Sequence, residues 1–245
     1  MPGSAIVVGV GASAGLGGAL CRRFASEGLH VVAAGRTPAK LDALAAEIRA
    51  RGGALTGVVA DTTQAADVAR VFDAAKPHSA RASGAPEIAV YNAGNNRMRP
   101  LLEMDDAFFE ETWRVACFGG FLVGREAARR MLPGGGTLVF TGATASLRAR
   151  PPFTAFASAK AALRALAQGM AREFGPQELH VAHVVIDGGI DGDQLNSRIP
   201  QLKQARGEDG MLAPDAIADA FWALHAQHRS AWTLELDLRP YKETF

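Results

Sequence analysis

Cysteine is scarce, with Cys21 and Cys117 the two present in 245 residues. Each lies inside an apolar helical pattern, so the pair reads as buried thiols rather than a disulfide framework, and a reducing compartment fits. Long runs of one charge are missing as well. No stretch of Lys or Arg exceeds two residues and the net charge is +1, which leaves no electrostatic footprint for nucleic acid or an anionic bilayer. The amino-terminal stretch carries no charge before Arg22, yet it lacks a basic start and holds six glycines in its first twenty residues. A strand and a glycine loop explain it better than a signal peptide or a spanning helix. No other segment approaches the 18 or so charge-free apolar residues of a membrane span. Internal repeats and low-complexity tails are absent too. The expectation is one cytoplasmic globular domain over 1–245, with 48% hydrophobic residues to fill its core.

What is present is an alternation of short β-branched runs with longer helical patterns. Strands are predicted at 5–10, 30–35, 55–60, 87–92, 137–142, 180–186 and 233–238. Thr37-Pro38 opens a helix that Gly52-Gly53 closes, and another passes through Val68, Val71 and Phe72 to stop at Pro77. Phe109, Trp113, Cys117 and Phe121 recur at four-residue spacing on a longer helix ending before Pro133, and a further helix ends at Gly175-Pro176. Strands without polar alternation, each followed by a helix, predict an α/β fold of the Rossmann type: doubly wound, with a mostly parallel seven-stranded sheet and helices on both faces. Its ligands bind along the carboxyl edge, at a switch point. Residues 76–87 read as a surface loop and 195–212 as a mobile lid.

GVGASAGLG, residues 9–17, joins the first strand to the first helix. Its glycines let backbone approach a pyrophosphate, whose charge meets the free N–H groups and positive end of that helix. The alternative is a turn that is merely tightly packed. About twenty residues on, where a carboxylate would clasp the 2′-hydroxyl of an adenosine ribose, stand Gly35 and Arg36. A guanidinium with no acid beside it suits a 2′-phosphate, which favours NADP(H) over NAD(H). Otherwise Arg36 is simply solvated.

Gly11, Gly15 and Gly17 in the spacing GxxxGxG, Asp61 after the third strand, Asn92-Ala93-Gly94 after the fourth and Lys160 in FTAFASAK follow one order on one set of elements. In these the chain resembles, end to end, the short-chain dehydrogenase/reductase family. The resemblance implies an oxidoreductase with a small-molecule substrate, working as a homodimer or homotetramer. It places Ser13 and Leu16 with the three glycines around the cofactor and Asp61 with Thr62 near the adenine. Asn92, Ala93 and Gly94 line the cleft, Lys160 holds the nicotinamide ribose, and Gly188 and Ile190 follow the sixth strand.

The departures from the family bear on chemistry. Its catalytic tyrosine, serine and helix asparagine correspond here to Phe156, Ala143 and Ala116, so Lys160 alone of that tetrad survives. The usual proline-glycine and later threonine become Asp187-Gly188 and Gly192. Phenylalanine keeps the apolar bulk but cannot move a proton, a function typically worth about 10²–10⁴ in rate. A donor aimed at a developing oxyanion adds about 3–4 kcal/mol. Such losses do not simply multiply.

Substitutes are available in the sequence. The Thr144 hydroxyl could reach a substrate oxygen, or only cap a turn. Asp187, closing a buried strand, could act as an acid if desolvated, or could accept from the N–H groups of Gly188 and Gly189. Arg148 and Arg150 could grip an acidic substrate, or be solvated. No metal is expected: His180 and His183 point to opposite faces of a strand, and His225 and His228 suit a helix end. Ala157, Ala161, Ala165, Gly120 and Gly124 permit close helix packing, between subunits or within one. Three functions stay open: an NADP-dependent oxidoreductase with an unusual proton source, a silent NADP-binding sensor or assembly protein, and non-redox chemistry using Asp187 or Lys160 as base.

Overall fold

A computed structural model describes residues 3–94, 96–132 and 134–243. Seven strands form the sheet: β1 Ser4–Val8, β2 His30–Gly35, β3 Ala54–Val59, β4 Ile88–Tyr91, β5 Gly136–Thr141, β6 Leu179–Ile186 and β7 Glu235–Leu238. They are parallel throughout, in the order β3-β2-β1-β4-β5-β6-β7. The direction of winding therefore reverses between β1 and β4, which opens a crevice at their carboxyl ends.

Both faces of the sheet are covered, which is why its strands read as unbroken apolar runs. On one face Ala5, Val7, Val31 and Ala182 pack under α1 Leu16–Ser26, α2 Pro38–Ala50 and α9 Pro214–His225. On the other, Ile6, Val8, Ala89 and Leu138 meet α3 Ala65–Ala75, α5 Gly119–Met131 and α6 Thr154–Phe174. Cys21 and Cys117 are both free and buried, as the sequence suggested.

The long helix is broken into α4 Asp106–Trp113, a π turn at Arg114–Phe118, and α5. Pro133, its expected end, lies outside the described residues. Tyr91 on β4 explains the wider turn: its buried phenol donates to the Val115 carbonyl, which the π turn frees. Gly119 completes the contact, since a Cβ there would lie 2.6 Å from the Tyr91 hydroxyl. The inserted residue shifts the helix phase. Cys117 turns inward, while Phe109, Trp113 and Phe121 stay 37–40% exposed, so this four-residue spacing marks a surface stripe.

Two further readings gain detail. Residues 195–212, read as a mobile lid, carry most of α7 Asp193–Arg198 and all of α8 Pro200–Arg206. Pro200 starts α8 and Gly207, at φ +70°, follows it, so these loop signals are helix punctuation. Gly120 and Gly124 serve packing within the chain, because a Cβ at either would strike Leu163 or Met170 of α6.

Candidate active site

The nucleotide side of the crevice is built on close backbone approaches. Gly9 ends β1 at φ +94°, and a Cβ there would lie 2.3 Å from the Ala93 nitrogen, so Asn92-Ala93-Gly94 rests directly on the glycine loop. Asn92 donates its side-chain amide to the Gly9 carbonyl at 3.3 Å. The N–H groups of Gly9 and Val10 both donate to the Ala34 carbonyl at 2.9 Å. A Cβ on Gly35 would fall 2.3 Å from the Val10 oxygen, which brings the next residue, Arg36, to the rim of the same loop. Arg36 is exposed and joins no hydrogen bond or ion pair among the described residues.

Above Gly11 an added Cβ would meet nothing within 4 Å, and α1 starts after Gly15 with no side-chain cap. Open space thus faces unsatisfied first-turn N–H groups, and the residues fit a pyrophosphate. Leu16 is buried, and Gly17 packs on Gly9 and Val10. Ser13 has protein partners of its own: its hydroxyl donates to the Glu47 carboxylate, and Arg22 donates to its oxygen at 2.9 Å. Asp61 Oδ1 accepts from the Thr63 N–H and hydroxyl, both at 2.9 Å, and the Thr62 side chain and the Tyr91 phenol both border Gly119. Gly188, at φ +151°, presses on Pro240, while Ile190 pairs with Leu212.

Lys160 occupies the centre. It is 4% exposed, and its Nζ donates to the Thr141 carbonyl at 2.7 Å. A Cβ on Gly94 would lie 3.6 Å from that Nζ, and the Phe156 ring centroid lies 5.8 Å away. Burial pushes the ammonium down to about 8, with the Cys117 thiol opposing the shift. An amine so placed carries its proton at neutral pH and can release it without a large penalty.

The structure gives Thr144 and Asp187 to each other. Asp187 is 3% exposed and accepts from the Thr144 hydroxyl at 2.6 Å. Arg148 reaches it at 3.3 and 3.5 Å, and Arg239 at 3.5 Å. These donors take the place expected for the Gly188 and Gly189 amides. Thr144 spends its one proton on Asp187, which leaves it able to accept from a substrate but not to donate. Arg150 is exposed.

Sequence reasoning missed the groups behind Lys160. His183 is fully buried on β6, with Nδ1 3.0 Å from Glu235 on β7. Glu235 accepts from Arg164, one turn after Lys160 on α6, at 2.6 and 2.7 Å. Arg164, with help from His183, holds the Glu235 carboxyl below its usual range, while burial pushes His183 down to about 4. His183 is therefore neutral, with Nδ1–H toward Glu235 and Nε2 a buried acceptor without a partner. Its ring fills the notch at Gly142, where a Cβ would lie 2.4 Å from Nε2. The small residue after Thr141 was the one available signal. Cys117, read only as a buried thiol, packs with Ala116 and Ala159; burial raises it and the Lys160 charge opposes that.

Comparison with known proteins gives one direction. Residues 5–201 match the short chain dehydrogenase family. A short-chain dehydrogenase structure from Rhodopseudomonas palustris is 40% identical with a TM-score of 0.81, covering 97% of this chain and 98% of that one. The cyclic-di-GMP-binding biofilm dispersal mediator protein of Escherichia coli K12 is 33% identical over 187 residues, 75% of this chain and 72% of that protein. A metagenomic short-chain oxidoreductase in complex with NADP is 25% identical with a TM-score of 0.80, covering 98% of each chain.

Proposed function

The chain belongs to the short chain dehydrogenase family, and we propose that it is an NADP(H)-dependent oxidoreductase acting on a carbonyl, an alcohol or a polarised alkene. The observation that carries this reading is the buried Lys160 ammonium, anchored on the Thr141 carbonyl and facing Gly94 across the crevice. The dinucleotide, when bound, supplies or accepts a hydride. The chain does the rest. Gly11, Gly15 and Gly17 with the start of α1 receive the pyrophosphate, Arg36 the 2′-phosphate and Asp61 the adenine side. Lys160 would orient the nicotinamide ribose and, with Phe156 in place of a tyrosine, would be the group on that helix that can hold and release a proton. The NADP complex of the metagenomic relative supports the choice of nucleotide.

Calorimetry tests the reading: NADPH should bind with a micromolar Kd, clearly tighter than NADH, and be oxidised with some member of a carbonyl and enone panel. No binding of either nucleotide sinks it. One observation favours a silent NADP(H)-binding sensor or assembly protein instead, namely that Phe156 has no hydroxyl and the Thr144 proton is already committed to Asp187. Binding without turnover, persisting after Phe156→Tyr with Ala143→Ser, would select it.

We further propose a homo-oligomer, a dimer or a tetramer, assembled through the stripe of Phe109, Trp113 and Phe121. Trp113 and Phe118 stack at 6.4 Å and extend it. No helix among the described residues is long and apolar enough to cross a membrane, and a cytoplasmic location is part of the same reading.

A further inference from the structure

Arg148 is poorly satisfied for a guanidinium so close to the crevice. Its two contacts with Asp187, at 3.3 and 3.5 Å, lie at the long limit of a hydrogen bond. Arg164 and Glu235 show what a committed pair looks like in the same molecule, with two bonds at 2.6 and 2.7 Å. Arg148 Nε is moreover buried with no partner, although the side chain as a whole is 32% exposed. Thr141 Oγ1 and His183 Nε2 are unpaired at the same end of β5 and β6. Native folds pair nearly all such atoms, so an unpaired donor at the mouth of a crevice points to a ligand.

The surrounding charges say which ligand. Among the described residues Asp187 is the one carboxylate in contact with Arg148, and it also takes the Thr144 hydroxyl and Arg239. Asp187 keeps two donors if Arg148 turns away. Arg148 then offers a fork of parallel N–H groups, Nε included, whose spacing matches a carboxylate. Its position favours a ligand from the crevice, since Thr144 and Arg148 lie on the segment that leaves the carboxyl end of β5 and Asp187 follows β6. Leu147, next in the chain and 48% exposed, gives such an acid an apolar surface to lie on.

We propose that Arg148 is an anion subsite that receives the carboxylate of an acidic substrate with an apolar body. This rests on the oxidoreductase reading for the word substrate, but the subsite can be tested without turnover. Sodium benzoate is titrated calorimetrically into the whole protein, with and without saturating NADP⁺. Millimolar benzoate binding is expected, with benzyl alcohol, which lacks the charge, giving no heat. Arg148→Gln should weaken benzoate by at least about tenfold, the loss of one charge-assisted fork. Arg148→Lys, which keeps a cation opposite Asp187 and so protects the fold, should weaken it comparably. Arg150→Gln should bind as the wild type does. Absent benzoate binding in both states, or equal affinity in Arg148→Lys and wild type, overturns the subsite. Failure of NADP⁺ to bind overturns the oxidoreductase reading instead, and the titration without nucleotide still judges Arg148.

Discussion

Lys160 Nζ lies 2.7 Å from the carbonyl oxygen of Thr141, and this hydrogen bond fastens α6 to the tip of β5. It fixes a buried cation where the backbone of the fourth strand's loop also arrives, so charge, helix and sheet meet at one atom.

The pH dependence of stability should report that cation. Burial lowers Lys160 to about 8, so below pH 8 both folded and unfolded chains carry the proton and the burial penalty is fully present. Between pH 8 and about 10.4 the unfolded chain binds the extra proton and the folded one does not, so stability rises with pH there. In urea unfolding, the free-energy difference between wild type and Lys160→Met should move in favour of wild type across this window by on the order of 3 kcal/mol. A difference that stays flat would mean an ammonium near its ordinary value.

Arg36→Glu should raise the Kd for NADPH by about 10- to 100-fold, as expected for losing charge-assisted bonds to a phosphate, and leave NADH nearly unchanged. Equal losses for the two nucleotides would place Arg36 away from the 2′-phosphate.

Phe156→Tyr with Ala143→Ser restores a proton donor on a ring whose centroid lies 5.8 Å from Lys160 Nζ. Turnover of a carbonyl substrate with NADPH should rise by about 10²–10⁴. NADPH affinity, read by calorimetry, should hardly change.

Gly142→Ala should destabilise the fold by about 1–3 kcal/mol, because its Cβ would meet His183 Nε2 at 2.4 Å and the Val184 oxygen at 2.9 Å. His183→Ala in the same chain removes the first clash. The two substitutions should therefore cost clearly less together than their separate costs predict, as denaturant titrations of the cycle would measure.

Trp113→Asp, on the exposed stripe, should convert the assembled species to a smaller one in sedimentation while leaving the melting of the monomer intact. An unchanged sedimentation profile would leave that stripe without a partner.

Strand positions were legible because each β-branched run is buried on both sides, and every strand expected appears within a few residues of its place. The glycine loop was equally legible, since Gly9, Gly17 and Gly35 are small for reasons of backbone contact that the sequence records directly. Side-chain pairing was not. Arg164, His183 and Glu235 lie on three elements up to 71 residues apart, and which of them touch depends on the registers of β5, β6 and β7. The partners of Asp187 were missed for the same reason: Arg239 enters from beyond the last strand. The phase of the long helix was hidden because a π turn leaves no composition signal, and its cause is a tyrosine on another element.

That tyrosine makes the outer helix and the crevice floor parts of one lever. With the Val115 carbonyl held by Tyr91, α4 and α5 cannot slide along their axis without breaking a bond to β4. Cys117, on the inner side of the same turn, packs against Ala159, the neighbour of Lys160. The aromatic outer surface and the lysine are thereby joined through one hydrogen bond and one packed cluster.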